Sequence, residues 1–186
     1  VLSSDDTGHG TYAASLAAGS ADPAEQFLGA APESTLAVVK LKQAKQYLRD
    51  YYFIPRDAVC YQETDLMLGL KYLNDLADRL QLPLGICITV GTSMGGHIGT
   101  LPFPYLIEGY STKPNRITVI GTGNEADKRH HYYNRLEGEA DSKTIEVRVG
   151  EKGSGFCLVL WPGIPTILSI SLLAPPGEKT SRIHLR

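Results

Sequence analysis

Apolar residues recur at helical spacing in the middle of the chain. They lie three or four positions apart, which predicts an amphipathic helix over 64–80 with Thr64 as its N-cap. The apolar face of this helix comprises Leu66, Leu70, Leu73, Ala77 and Leu80. Two shorter helices are predicted at 7–19, where alanines dominate and Gly19 closes the helix, and at 102–110.

Short, continuous apolar runs alternate with these helices. The runs at 36–41, 84–90 and 116–120 predict buried strands, and a turn at 29–32 precedes the first of them. Buried strands that alternate with helices are typical of a parallel sheet whose faces the helices cover. The predicted fold class is therefore α/β.

The pattern changes after Glu137, where four short predicted strands follow one another without helices. They cover 145–149, 156–161, 166–173 and 181–185, and turns rich in glycine or proline separate them. This succession indicates an antiparallel sandwich or jelly-roll module. We therefore predict a partial α/β domain at 1–138, followed by the start of a jelly-roll-like β insert at 139–186.

Composition narrows the functional classes. Of the 186 residues, 18 are Lys or Arg and 20 are Asp or Glu, so the formal net charge is −2. This balance argues against a surface dedicated to nucleic acid or to an anionic membrane. No apolar run reaches the roughly 18–20 residues of a membrane span. Three widely spaced cysteines, Cys60, Cys87 and Cys157, predict reduced thiols rather than a disulfide framework or a zinc site.

Two segments carry candidate catalytic side chains. His9 lies in Gly8-His9-Gly10-Thr11 at a predicted loop-to-helix junction, where a peptide backbone could approach the imidazole and the ring could act as general base. The same pattern also fits a capping or packing histidine. Asn124 follows the strand at 116–120 through a thin glycine-containing loop, so its amide could donate a hydrogen bond to an oxyanion.

Two further groups have both a catalytic and a simpler interpretation. Ser93 in Gly91-Thr92-Ser93-Met94-Gly95 matches the nucleophile elbow of α/β-hydrolases, but glycines and Pro102 follow it, and these are poor helix residues. A substrate-side loop is therefore the preferred interpretation. A second group could gather a metal, but its spacing matches no standard site and favours a solvated loop: Glu125, Asp127, His130 and His131.

Several of these motifs together resemble subtilisin-like serine proteases, the subtilases. The motifs follow one another in the family's order over about residues 5–133. They are Gly8-His9-Gly10-Thr11, the turn at 29–33 before the predicted strand at 36–41, the strand that ends in Thr89-Val90-Gly91, and the segment 121–125. The Asn-Glu pair followed by His130 and His131, together with a β insert near Glu139, is similar to the clostridial Csp-type subtilases. In that subgroup a jelly-roll module interrupts the catalytic domain, and members act on a spore-cortex hydrolase during germination.

The resemblance implies acyl transfer with a protein or peptide as substrate and no cofactor. It assigns His9 as the general base and Asn124 as the oxyanion donor. It also implies two backbone segments that line the substrate cleft, formed by Thr89, Val90 and Gly91 and by Gly121, Thr122 and Gly123. A Csp-type protein would be spore-associated or extracytoplasmic.

The chain departs from the family pattern in three respects. Tyr12 stands where family members commonly have histidine. Asp5 and Asp6 are too close to His9 to be assigned as the catalytic aspartate, which the family places well upstream, before Val1. The family's serine lies after the asparagine, and no segment after Asn124 fits it. The chain is therefore expected to be the inactive central fragment of a peptidase, and its sheet edges are expected to favour self-association.

Two alternatives stay open at this point. One is a pseudoprotease with the subtilase fold that regulates or binds a partner, because some Csp-type proteins lack triad residues. The other is an α/β-hydrolase that uses Ser93 with His130, His131 or His184 downstream.

Overall fold

The computed structural model describes residues 3–139, 141–151, 155–163 and 165–184. The described part contains four helices and four strands, in the order α1 (His9–Ala18), α2 (Gln46–Tyr51), α3 (Glu63–Leu80), β1 (Leu84–Ile88), α4 (Pro102–Ser111), β2 (Arg116–Ile120), β3 (Ser169–Ile170) and β4 (Ile183–His184). This is a mixed α/β fold with a small parallel sheet, as the sequence predicts.

The parallel sheet consists of β1 and β2. The two strands pair in register over their whole length, from Leu84 opposite Arg116 to Ile88 opposite Ile120. One further hydrogen bond extends the ladder at its end, because the Gly121 amide donates to the Ile88 carbonyl at 2.9 Å. The crossover between these strands contains α4, which is the usual way of joining parallel neighbours.

The hydrophobic core lies on one face of this sheet. Leu70 of α3 packs there with Ile86 and Ile88 of β1, and all three are buried. Partly buried side chains from α3, α4 and the ends of β1 surround them: Leu66, Leu73, Leu84, Val90, Phe103, Leu106, Ile107 and Tyr110. The core predicted from the helical periodicity of 64–80 is therefore present, and α3 supplies its centre. The prediction is wrong at Leu80, which is 53% exposed at the end of the helix.

The opposite face of the sheet is open to solvent in the described part of the chain. Ile117 and Val119 of β2 are 62% and 58% exposed, and they pair with Gly85 and Cys87 of β1. Parallel sheets are normally covered on both faces, so this apolar surface is unusual. The strand predicted at 116–120 is confirmed, but its predicted burial is wrong, because nothing in the described residues covers its outer face.

The N-terminal helix is joined to the turn that follows it through backbone hydrogen bonds. The amides of Ala30 and Ala31 donate to the carbonyls of Leu16 and Ala17, at 2.9 and 2.8 Å. A Cβ at Gly29 would lie 2.4 Å from the Gly19 amide nitrogen, so only glycine fits at this crossing. The predicted helix at 7–19 is confirmed with slightly tighter bounds.

A buried arginine holds the loop between α2 and α3 in place. The apolar residues of this loop follow neither helical nor strand spacing, so the sequence predicts no element there. Arg49 of α2 is only 7% exposed. Its Nη2 donates to the carbonyl oxygens of Pro55, Arg56 and Ala58 at 2.7, 2.8 and 2.7 Å. These carbonyls, rather than a carboxylate, satisfy the guanidinium and hold the loop around it.

Two local predictions are wrong. Thr64 is not the N-cap of α3, because Gln62 takes the cap position and its side-chain amide donates to the Thr64 hydroxyl at 2.7 Å. The segment 36–41 is not a strand, because no strand ladder pairs with it in the described part of the chain. Its Val39 side chain instead packs beside Gly69 of α3.

The C-terminal strands are shorter than predicted. Ser169–Ile170 pairs antiparallel with Ile183–His184, and an isolated bridge joins Leu173 to Lys179. The runs at 145–149 and 156–161 form no strand in the described residues, because no neighbouring backbone completes a ladder there. Leu185, the predicted end of the last strand, lies outside the described residues. The jelly-roll architecture and the boundary between 138 and 139 stay predictions.

None of the helices in the described ranges is both long enough and apolar enough to cross a membrane.

We expect Leu70→Ala to lower the free energy of unfolding by about 2–5 kcal/mol, because it leaves a cavity between α3 and β1. Leu68→Ala on the same helix is the matched control, since Leu68 is 65% exposed, and it should cost less than about 0.5 kcal/mol. Urea unfolding followed by circular dichroism measures both. Equal losses for the two variants would contradict the assigned core.

Candidate active site

The segments that follow the two parallel strands lie side by side. Parallel strands end at the same edge of a sheet, and here β1 and β2 end at the paired residues Ile88 and Ile120. A Cβ at Gly91 would lie 3.3 Å from the Gly123 Cα, so the two backbones are in direct contact three residues beyond the last strand pair. The two predicted cleft segments are therefore neighbours in space: Thr89, Val90 and Gly91 on one side, and Gly121, Thr122 and Gly123 on the other.

Asn124 stands at the end of this pair of segments. Gly123 has a φ of +82°, a left-handed conformation that favours glycine, and it turns the chain directly before Asn124. The Asn124 side chain is exposed, and it makes no hydrogen bond within the described part of the chain. Its amide is thus available to donate to a ligand at this edge.

His9 is the first residue of α1 and is exposed. Gly8 before it has a φ of +80°, so the turn into the helix requires glycine. The Asp5 carboxylate fixes this turn by accepting hydrogen bonds from the amides of Gly8 and Thr11, at 2.9 and 2.7 Å, and from the Thr11 hydroxyl at 2.8 Å. Asp5 therefore serves the N-terminus of α1, in the way of a capping carboxylate.

These hydrogen bonds also change the acidity of Asp5. The Thr11 amide makes the largest contribution, ahead of the Thr11 hydroxyl and the Thr7 amide, and together they hold the pKa of the Asp5 carboxyl well below its usual range. The neighbouring Asp6 has a lowered pKa for a different reason, since Lys40 forms an ion pair with it at 2.7 Å. Both aspartates thus have partners other than His9.

The structure does not join the two predicted catalytic residues by a contact. In the described ranges, no hydrogen bond or ion pair links His9 with Asn124 or with the cleft segments, and the two residues stand on separate elements. The arrangement offers an imidazole at a helix start and an amide at a strand end, two groups that acyl transfer requires in addition to a nucleophile.

An open cavity of about 390 Å³ adjoins the cleft segments. It is lined by residues Thr92, Ser93, Met94, Gly95, Gly96, His97, His130 and His131. The rings of His97 and His131 lie 4.9 Å apart between centroids, and the Nδ1 of His130 lies 3.0 Å from Glu125 Oε2. Both walls continue directly from the predicted cleft, one after Gly91 and the other after Asn124.

Sequence reasoning missed this cavity. His97 carries no motif by itself, and the contact with His131 joins positions far apart in the sequence. No pattern in the sequence links these positions, because each lies in a loop several residues beyond the end of its strand.

Ser93 lies in this cavity wall and not at the start of a helix. The segment 89–100 contains no helix, and the next one, α4, begins only at Pro102. The strand-to-helix turn of an α/β-hydrolase nucleophile is therefore absent at Ser93 in this part of the structure.

The acidic and histidine side chains after Asn124 pair among themselves. Glu125 contacts His130, and Asp127 contacts Lys128 at 3.3 Å. Within the residues that the structure describes, no three His, Cys, Asp or Glu side chains gather in a way that could hold a metal ion.

Comparison with known proteins gives a likeness to a solved structure. No protein-family model and no curated protein matches the sequence. Among solved structures, the CspB protease of Clostridium perfringens is similar, with a TM-score of 0.69 and 22% sequence identity. The match covers 99% of this chain and 37% of that protease. The likeness shows a shared, protease-like fold, and this chain spans a little over a third of its structural neighbour.

We expect Asp5→Asn to destabilise α1, because the amide replaces a carboxylate that accepts several hydrogen bonds. Since the folded pKa is lowered, the stabilisation is fully present above the unfolded pKa of about 4 and is lost as the pH falls through the folded value. The melting temperature of the variant should therefore lie below the wild type at pH 7, and the gap should narrow below about pH 4. Asp57→Asn, an exposed change of the same charge, is the control. A gap that does not change with pH would contradict this role.

Proposed function

We propose that this chain is the part of a subtilisin-like serine peptidase that supplies the general base and the oxyanion donor. The observation that supports it most is the side-by-side course of 89–91 and 121–123 at one sheet edge, with Asn124 immediately after them. A peptide laid against these backbones would present its carbonyl near the Asn124 amide. The fold likeness to a protease agrees with this assignment.

The reaction follows the acyl-transfer scheme of serine peptidases. His9 takes the proton of a serine hydroxyl, the serine oxygen attacks the peptide carbonyl, and the Asn124 amide donates to the oxyanion of the tetrahedral intermediate. His9 then returns the proton to the leaving amine. In this proposal the serine, and the aspartate that orients His9, lie elsewhere in the protein, and no cofactor takes part.

The substrate in this proposal is a protein or peptide. The Csp-type resemblance adds a role in spore germination and a spore-associated or extracytoplasmic location. A pseudoprotease of the same fold would keep the cleft but would not turn over peptides.

A second candidate is hydrolysis by Ser93, favoured by one contact. Glu125 lies 3.0 Å from His130 Nδ1, which resembles the acid and histidine of a catalytic triad, and Ser93 lines the same cavity as His130. The chain order serine, acid, histidine is also that of α/β-hydrolases. The lack of a helix after Ser93 makes this the weaker candidate.

We expect Asn124→Ala to lower kcat of the full-length protein on a peptide substrate by about 10²–10³-fold with little change in KM, the size found for the oxyanion asparagine of subtilisin. His9→Ala should lower kcat on the order of 10⁶-fold. Steady-state hydrolysis of a fluorogenic peptide measures both effects. Asn134→Ala and His184→Ala are the matched controls, and both should retain the wild-type rate.

Two results would count against the leading candidate. Activity that survives both His9→Ala and Asn124→Ala but disappears in Ser93→Ala would assign the chemistry to Ser93. A full-length wild type that binds peptides and never cleaves them would favour the pseudoprotease.

A further inference from the structure

The histidine-lined cavity beside the cleft has its own chemistry. Three imidazoles, those of His97, His130 and His131, line an open space of about 390 Å³. The Ser93 hydroxyl lies in the same wall. Nothing in the proposed acyl transfer uses these groups, although both walls continue from the segments that would hold the peptide.

The imidazoles are the only source of net charge in these walls. The wall 91–99 contains no ionisable side chain except His97. On the other side only His130 and His131 line the cavity. In the segment before them, which does not line it, two acidic and two basic side chains balance in number: Glu125, Asp127, Lys128 and Arg129. Trp161, which packs against Gly96, comes from a segment, 155–163, whose one ionisable side chain is Cys157. The cavity is thus neutral when the imidazoles are neutral and positive when they are protonated.

The contacts of the three rings determine which ligand they favour. His130 is already paired with Glu125 through Nδ1, so this carboxylate offsets its charge. The other two rings, of His97 and His131, lie 4.9 Å apart, and no carboxylate is paired with either of them in the described residues. Protonation of both rings places two like charges side by side, and an anion bound at the cavity side of both rings would relieve the repulsion.

We propose that this cavity binds a carboxylate, and that the carboxylate is an aspartate or glutamate side chain of the peptide that occupies the cleft. This inference rests on the proposed function, because it takes the peptide to lie along 89–91 and 121–123. The rings of His97 and His131 donate to the carboxylate, and the Ser93 hydroxyl adds a third donor. Binding is stronger where the two rings are protonated, because only protonated imidazoles bring a positive charge to the carboxylate.

The test compares two peptides that differ only in charge. An acetylated, amidated peptide with a single glutamate and its glutamine analogue are titrated into the isotope-labelled chain at pH 5.5 and at pH 8, and backbone and imidazole resonances are followed by NMR. We expect the glutamate peptide to bind roughly threefold to tenfold more tightly at pH 5.5, the range for one or two exposed ion pairs, and the ratio to fall towards one at pH 8. N-acetylglutamate, a free carboxylate without a peptide, should bind more weakly than the glutamate peptide.

Variants assign the effect to the cavity. His131→Phe keeps an aromatic ring against His97 and removes the ionisable group, so it should abolish the preference for glutamate while the chain remains folded. His184→Gln removes an exposed histidine in β4, outside the cavity, and should leave the preference unchanged.

The outcomes separate this inference from the proposed function. Equal binding of both peptides at pH 5.5, with shifts in 89–91 and 121–123, would overturn the carboxylate site and leave the cleft intact. Binding of N-acetylglutamate as tight as that of the peptide would overturn the assignment to a substrate side chain. A lack of any shift in the cleft segments with either peptide would contradict the proposed function itself, and the carboxylate inference with it.

Discussion

The in-register pairing of β1 with β2 is the constraint on which the rest of the structure depends. It sets Ile86 and Ile88 against Leu70 on one face, and it also makes the two strands end at the same level. Because they end together, the segments 89–91 and 121–123 leave the sheet as neighbours, and each leads into one wall of the histidine-lined cavity. A shift of the register by one residue would exchange the faces of a strand, and it would separate these segments as well.

The two faces of the sheet differ in how far they are covered. One face is covered by α3 and α4, whereas Ile117 and Val119 leave an apolar strip on the other. Exposed apolar surface and unpaired strand edges both favour association. The self-association expected from the sequence therefore stays a prediction, and the structure offers this face as well as the edges for it.

The elements predicted correctly from the sequence are those with a regular spacing of apolar residues or a continuous apolar run. The helical spacing of 64–80 and the apolar runs at 84–90 and 116–120 identified α3, β1 and β2, and the order of the motifs indicated which residues would meet at the sheet edge. The features that were not predicted depend on contacts with residues far away in the sequence. Arg49 is buried because three carbonyls of a later loop surround it, and 36–41 lacks the neighbour that would make it a strand. The contact between His97 and His131 joins two loops beyond the strand ends, and no local sequence pattern predicts such a contact.

The most direct measurement of the central claim is a crystal structure of the full-length protein with a peptide boronate. We expect the peptide to lie along 89–91 and 121–123, with a boronate oxygen about 2.7–3.1 Å from the Asn124 side-chain nitrogen. We also expect His9 to contact the oxygen of the serine that carries the boronate. A boronate bonded to Ser93, or a peptide bound away from this sheet edge, would contradict the proposed function.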